Sequence, residues 1–374
     1  MMTRMRFIPV SRPKITKEDV NSVQEAVAST YIAGGSFIPR FESALAKYCD
    51  RQYGVAVTNA TSALYLAVKA LSLPPKSRIL VPSFTIISVL QSVILNGHVP
   101  VFADVDPKTW NISLKSVQKA LRKNIAAAIM VETYASAPPM KEIQILLKRK
   151  KVFLIEDAAE GFGGSDGGRP FGSFGTMSIL SFYANKLITT GEGGMILTDN
   201  KLLYDRLYSL RNLCFDSNRT FIHKEISGNY RMTNIQAALG LSQLKRIKAS
   251  YEHRKKLYHL YLQYLAFLSK NEISFQEIPS GIESSYWVFP IIFQNYTFLK
   301  KKKLMERLLE KGIETRHFFY PLDRQPVLPC KTESKSVSYH LWQKGLYLPL
   351  GNGITEREVE VSAKMLIKLL VQNT

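Results

Sequence analysis

One lysine, Lys186, sits in the run Ser181-Phe182-Tyr183-Ala184-Asn185-Lys186-Leu187-Ile188-Thr189-Thr190-Gly191-Glu192-Gly193-Gly194. Apolar β-like residues precede this run at 177–180 and follow it at 195–198, so Lys186 falls in a loop between two strands. A lysine among aromatics, small residues and glycines suits carbonyl chemistry. Its amine can form a Schiff base with an aldehyde, including that of pyridoxal phosphate. The glycines let backbone approach a ligand closely. The same run also suits a plain hairpin with a solvated lysine, and alone it does not separate the two. Upstream, a short apolar strand at 152–155 is followed by Glu156-Asp157-Ala158-Ala159-Glu160. An acid at the carboxyl end of a buried strand points into the crevice where open α/β sheets take ligands. There Asp157 can keep a pyridine nitrogen protonated, so that the ring accepts electrons. It can equally cap a helix. Paired with the lysine loop downstream, the acid favours the cofactor reading.

These segments, continued by Asn229-Tyr230-Arg231-Met232-Thr233-Asn234-Ile235-Gln236-Ala237-Ala238, resemble the pyridoxal-phosphate-dependent nucleotide-sugar aminotransferases of the DegT/StrS type. Matching motifs run in order from about Pro13 to Pro349. The resemblance implies an α/β fold of the fold-type-I aminotransferase kind. A large domain with a mostly parallel sheet between helices would carry a smaller α+β C-terminal domain. Lys186 would hold the cofactor and shuttle a proton, Asp157 would hold the pyridinium, and Glu160 would lie beside the ring. Ala60, Thr61, Ser181 and the Asn229 of a second copy would hold the phosphate, making the active unit a homodimer with shared sites. Tyr31, Arg231 and Tyr320 would contact substrate. Glutamate would donate an amino group to C4 of a nucleotide-linked 4-keto-6-deoxy sugar, as in perosamine- or viosamine-type synthesis for O-antigen and other polysaccharides. The C4 position rests on the likeness of Thr189-Thr190-Gly191-Glu192-Gly193-Gly194 to the C4-acting branch. The alternatives are a C3-acting aminotransferase, a sugar dehydratase on the same fold, and a non-catalytic regulatory protein. Dehydratase relatives replace the Schiff-base lysine with histidine, and Lys186 counts against them.

Some positions depart from the family pattern. Ala60 replaces a glycine in the phosphate turn, so the backbone there must tolerate a Cβ. Ile86 stands where an aromatic usually stacks on the pyridine ring. Phe84 shares its face in an extended segment, but the expectation is that Ile86 covers the ring and Phe84 is core. Glu132 and Asp323 occupy places where histidine is frequent, and Ala135 one where glycine is.

Bulk properties narrow the classes. The chain has 374 residues, 46% of them hydrophobic, enough for a large core and two domains. A boundary is expected near Ala249, dividing 1–249 from 250–374. No apolar run is long enough to span a membrane, and no signal-peptide core follows the first residues. Cys49, Cys214 and Cys330 give neither a disulfide framework nor a metal spacing, which suits reduced thiols in the cytoplasm. The net charge is +20, and lysines and arginines cluster at Lys148-Arg149-Lys150-Lys151 and Lys300-Lys301-Lys302-Lys303, both read as solvated faces. No nucleic-acid motif accompanies them.

The positioning elements follow from periodicity and punctuation. Thr16 should cap a helix over 17–29, with Asp19 as the capping-box acid. Tyr31-Ile32-Ala33-Gly34-Gly35 is a loop. A strand at 55–58 leads through Asn59-Ala60-Thr61-Ser62 into a helix, whose free N–H groups suit a phosphate. Further strands are expected at 78–81, 99–105 and 126–131, with a helix at 114–121. This alternation argues for a parallel sheet. One long helix should run from Asn234 toward Leu268. After it the reading is strand 286–293, helix 299–310, strand 313–316, and helices at 337–344 and 355–370.

Overall fold

The computed structural model describes residues 7–215, 221–223, 225–268, 272–328 and 336–372. Cys330 lies outside them, whereas Cys49 and Cys214 are free buried thiols. The central sheet has seven strands in the order Tyr53–Val57, Gly194–Thr198, Met177–Ser181, Phe153–Asp157, Ala127–Val131, Arg78–Pro82, Val99–Ala103. Only Gly194–Thr198 runs against its neighbours, and all the other pairings within the sheet are parallel. The strands read as continuous apolar runs because helices cover both faces. One face packs on Phe41, Leu45, Phe182 and Ala237, the other on Leu64, Val68, Val89 and Leu207.

The parallel strands bring their carboxyl ends to one edge, so Ser83, Glu132, Asp157 and Ser181 emerge together there. Asn59 caps helix Ala60–Ala70 by accepting from Ser62 N–H at 2.8 Å. Thr16 and Asp19 form the expected capping box of helix Lys17–Ala28.

A second sheet is antiparallel, in the order Ile273–Phe275, Phe289–Phe293, Gly345–Leu348, Arg316–His317. Helices Ile247–Leu265 and Glu356–Val371 pack on it around Leu257, Tyr261, Phe289 and Leu366. The amino-terminal segment joins this C-terminal core. Ile8 N–H donates to Gly312 at 2.8 Å and its carbonyl accepts from Glu314 at 3.0 Å. Val10, Arg12 and Glu358 continue the contact, with Arg12 and Glu358 paired at 2.9 Å.

Two expectations change. The long helix is two, Asn234–Leu244 and Ile247–Leu265. Arg246 leaves helical backbone between them, and its guanidinium pairs with buried Asp19 at 2.5 Å. Nor is the second basic run wholly solvated. Lys301 shares a helix face with Leu304 and Leu308 and is completely buried. Its Nζ donates to the carbonyls of Trp342 and Gly345 at the end of helix Val337–Lys344. That helix starts on Asp104, whose carboxylate accepts from Val337 and Ser338 N–H at 2.7 and 3.0 Å.

Candidate active site

Lys186 is half-buried in the loop between strands Met177–Ser181 and Gly194–Thr198. Its Nζ lies 3.8 Å from the ring centroid of Trp287, a cation–π contact that covers one side of the amine. Asp157 and Glu160, both buried, act on the same amine electrostatically. Asp157 ends its strand and accepts from Ala159 N–H at 3.2 Å. Glu160 accepts from Tyr134 N–H at 2.9 Å, and its carbonyl accepts from Ser285 Oγ at 2.5 Å. Burial pushes Asp157 up to about 6, held back by the Ala159 N–H and the Lys186 charge. It pushes Glu160 up to about 7, against the same lysine and the Tyr134 N–H. Burial lowers Lys186 to about 8. The two acids oppose that shift and Arg254 adds to it. The amine thus has a neutral fraction near neutrality, as a nucleophile or base requires.

The lysine loop is held from behind by residues that the sequence reading did not single out. Arg254, on helix Ile247–Leu265, is buried and donates to the carbonyls of Asn185 at 3.0 Å and Lys186 at 2.7 Å. It also donates to Asn352 Oδ1 at 2.6 Å, and Asn352 in turn donates to Leu187 O at 2.8 Å. Burial lowers the Arg254 guanidinium to about 9. Asn352 stands between Gly351 and Gly353, a tight-turn signal that could have drawn notice. Trp287 was expected inside a strand over 286–293, but it lies in irregular backbone just ahead of strand Phe289–Phe293.

Ala60 and Thr61, two of the positions expected at the phosphate, form the first turn of helix Ala60–Ala70. Ser181 pairs with Gly194 across the sheet, and a Cβ on Gly194 would meet Ala60 N at 2.7 Å. Gly194 therefore lets the end of one strand approach the first turn of helix Ala60–Ala70. Asn59 takes the N–H groups of Ser62 and Ala63. Among the described residues this leaves those of Ala60 and Thr61 for an anion. Ala60 takes no left-handed backbone, so its Cβ is accommodated. Thr61 Oγ1 lies 2.8 Å from Ser88 Oγ. Phe84 is core, against Tyr134, Phe318 and Phe319, whereas Ile86 is 43% exposed at the start of helix Ile87–Leu95.

Asn229 and Arg231 are exposed on a segment bonded along Val57 and Thr58. Arg231 bonds Asn212 and lines a cleft of about 710 Å³ with Gly34, Gly35 and Arg211. Tyr31 is 69% exposed in the loop leading to Gly34, where its carbonyl accepts from Asn234 at 2.8 Å. The structure seats Tyr320 with its ring edge-on against Trp342, at 4.8 Å. Lys186, Asp157 and Glu160 thus come together, with Ser181 and the Ala60–Thr61 turn on neighbouring strand ends. Arg231 lines a separate cleft, and neither Tyr31 nor Asn229 is among its lining residues.

Glu132 is completely buried, and neither carboxylate oxygen has a hydrogen-bond partner. Burial and the negative charges of Glu156 and Asp157 push its carboxyl well above the usual carboxylate range. Asn185 Oδ1, Thr85 Oγ1 and Trp287 Nε1 are likewise buried without partners. Orphaned polar atoms, the first N–H groups of a helix and a strand-end acid acting on one lysine are what a phosphorylated pyridine aldehyde needs.

A family model for DegT/DnrJ/EryC1/StrS aminotransferases matches residues 13–366. The chain belongs to this family. Pyridoxal phosphate is its cofactor, and the residues just described fit that group. Among curated relatives, GDP-perosamine synthase of Escherichia coli O157:H7 is 34% identical over 289 residues, 77% of this chain and 78% of that protein. The same-named enzyme of Caulobacter vibrioides is 35% identical, over 78% of each chain. Among solved structures, Helicobacter pylori PseC, an aminotransferase of pseudaminic acid biosynthesis, superposes with a TM-score of 0.91 at 24% identity, covering 97% and 99% of the two chains. An E. coli GDP-4-keto-6-deoxy-D-mannose-3-dehydratase with bound hydrated pyridoxal phosphate superposes at 0.87 and 21%, covering 97% and 100%. These structures share the fold. Among the described residues no helix is long and apolar enough to cross a membrane.

Proposed function

We propose that this aminotransferase moves an amino group from glutamate to C4 of a nucleotide-linked 4-keto-6-deoxy sugar, in a homodimer whose sites are completed by the neighbour's Asn229. The observation that carries the reading is the Lys186 amine, lowered to about 8 beside Asp157 and Glu160. The perosamine synthases, a third identical over most of their length, favour the C4 position and a guanosine nucleotide. Retention of Lys186 favours amination over dehydration. The division near Ala249 belongs to the same reading and is supported by the separate apolar clusters on the two sheets.

When bound, pyridoxal phosphate supplies an aldehyde and an electron-accepting ring. Lys186 is the covalent anchor. Its freed Nζ takes the proton from the donor Cα in one half-reaction and delivers one to C4 of the sugar in the other. Asp157 holds the pyridinium N–H. Glu160, neutral or charged near pH 7, can bond the phenolic oxygen in either state. Ala60, Thr61, Ser181 and the neighbour's Asn229 bind phosphate, while Trp287 and Tyr134 exclude water. Tyr31, Arg231 and Tyr320 are the proposed sugar and nucleotide contacts.

The test is incubation with glutamate and a panel of GDP-, UDP- and dTDP-linked 4-keto-6-deoxy sugars, read by mass and by NMR of the product. Amination at C4 is expected, and Lys186→Ala should give none. Amination at C3, or loss of a hydroxyl without amination, would overturn the assignment.

A further inference from the structure

The two ends of the sheet differ in their side chains: the carboxyl ends carry the buried acids Glu132, Asp157 and Glu160, whereas the turns entering five of the strands carry exposed cations. Five adjacent strands pair with one another in parallel, so the turns that enter them lie side by side: 72–78, 96–99, 121–126, 148–153 and 172–177. Backbone bonds tie these turns together. Val99 N–H donates to Ser77 at 2.9 Å, Ala126 to Arg78 at 2.9 Å, Phe153 to Ala126 at 3.1 Å, and Thr176 to Leu154 at 2.7 Å. None of the five turns contains an aspartate or glutamate. Lys76, Arg78, Lys123, Lys148, Lys150 and Lys151 are all exposed there, and none makes an ion pair with a described residue. Two acids lie at this same end beside the neighbouring strands: Asp199, after Gly194–Thr198, is paired with Arg51, and Asp50, shortly before Tyr53–Val57, is exposed. Among the cations, Val99 and Phe153 expose 43% and 42% of their surfaces at the first position of their strands.

We propose that this amino-end face docks on an anionic lipid bilayer. Unpaired cations ringing two exposed apolar side chains match a headgroup layer, where lysines meet phosphates and a phenyl ring can enter the acyl boundary. Five strand ends spaced at about 4.8 Å make a broad, flat front of roughly 19 Å. No helix or ribbon projects from it to enter a nucleic-acid groove, and one exposed phenyl is not a stacking series. Because the face is opposite the strand ends that carry Lys186 and Asp157, docking leaves the active site open to solvent.

The test is co-sedimentation of the intact protein with phosphatidylcholine vesicles, with and without phosphatidylglycerol. Binding should need the anionic lipid and weaken as salt screens it. Each cation is worth about fivefold in binding. Lys148→Gln/Lys150→Gln/Lys151→Gln should therefore weaken binding about a hundredfold with turnover unchanged. Phe153→Ser should weaken it further. Lys300→Gln/Lys302→Gln/Lys303→Gln removes equal charge from another face and should leave binding intact. Equal loss from the two triple variants would mean that net charge alone acts, and would overturn the proposal. So would absence of binding to anionic vesicles, equal binding to neutral ones, or retention of a mixed-sequence DNA duplex without vesicle binding.

Discussion

Arg254 offers a sharp way to ask whether the lysine is placed by its own loop or from behind. Arg254→Ala removes donors to Asn185 O, Lys186 O and Asn352 Oδ1, at 3.0, 2.7 and 2.6 Å. A buried acceptor left without a partner costs about 1–3 kcal/mol, so three of them set a range of roughly 3–9 kcal/mol. Relief from burying an unpaired guanidinium offsets part of this, and the expected net loss is about 3–5 kcal/mol. Urea unfolding measures it. Arg254→Lys keeps a charge but cannot reach all three acceptors, so an intermediate loss is expected. A second readout concerns Lys186 alone. The Arg254 charge helps to lower its amine, so the lysine should titrate higher once Arg254 is neutral. Acylation of the cofactor-free protein over a pH series, with peptide mapping, reports that value. An unchanged unfolding midpoint and an unchanged Lys186 titration in Arg254→Ala would refute the reasoning.

Asp157 and Glu160 titrate near 6 and 7 in the folded chain, against about 4 unfolded. Their share of stability is full below about pH 4 and is lost as pH rises toward 7. Asp157→Asn should flatten that fall in urea midpoints of the cofactor-free protein, while turnover drops by orders of magnitude. Lys301, lowered to about 7 by burial, has the opposite sign. Its folded form binds fewer protons than the unfolded one, so stability rises with pH from about 7 to 10.4. Lys301→Met should remove that rise, leaving the share of Lys186, and cost up to about 2–6 kcal/mol for the two freed carbonyls. Asp104→Ala removes the acceptor of the Val337 and Ser338 N–H groups while the Ser336 cap stays, and should cost about 1–2 kcal/mol, seen as a lower melting temperature.

The sheet and the heart of the site were legible because both rest on local rules. Apolar runs followed by an acid or a serine mark strands that end in a crevice, and Asn59 announces the helix that follows. What escaped depends on distant partners. Nothing in Leu244-Lys245-Arg246-Ile247 punctuates a helix, and the break comes with the pairing of Arg246 to Asp19, far away in sequence. Lys301 hid within a charged run, although its spacing to Leu304 and Leu308 matches a buried face. Arg254 reads as one more helix cation until its carbonyl partners are in place. Glu132 was noticed only as a departure, since no local pattern tells that both its oxygens would lack partners.

The seating of Ile8, Val10 and Arg12 on the C-terminal core has a consequence for how the protein matures on the ribosome. The central sheet uses residues 53–198, so it can close while the last third is still being made. The first strand-like segment cannot. Its partners Gly312, Glu314, Leu350 and Glu358 emerge near the end of synthesis, and until then Ile8 remains uncovered. Contacts of such separation form late, after a long loop has been closed. A fragment beginning at 250 would lack that segment and expose part of its core. The C-terminal half is therefore expected to mature only in a chain that still carries its beginning.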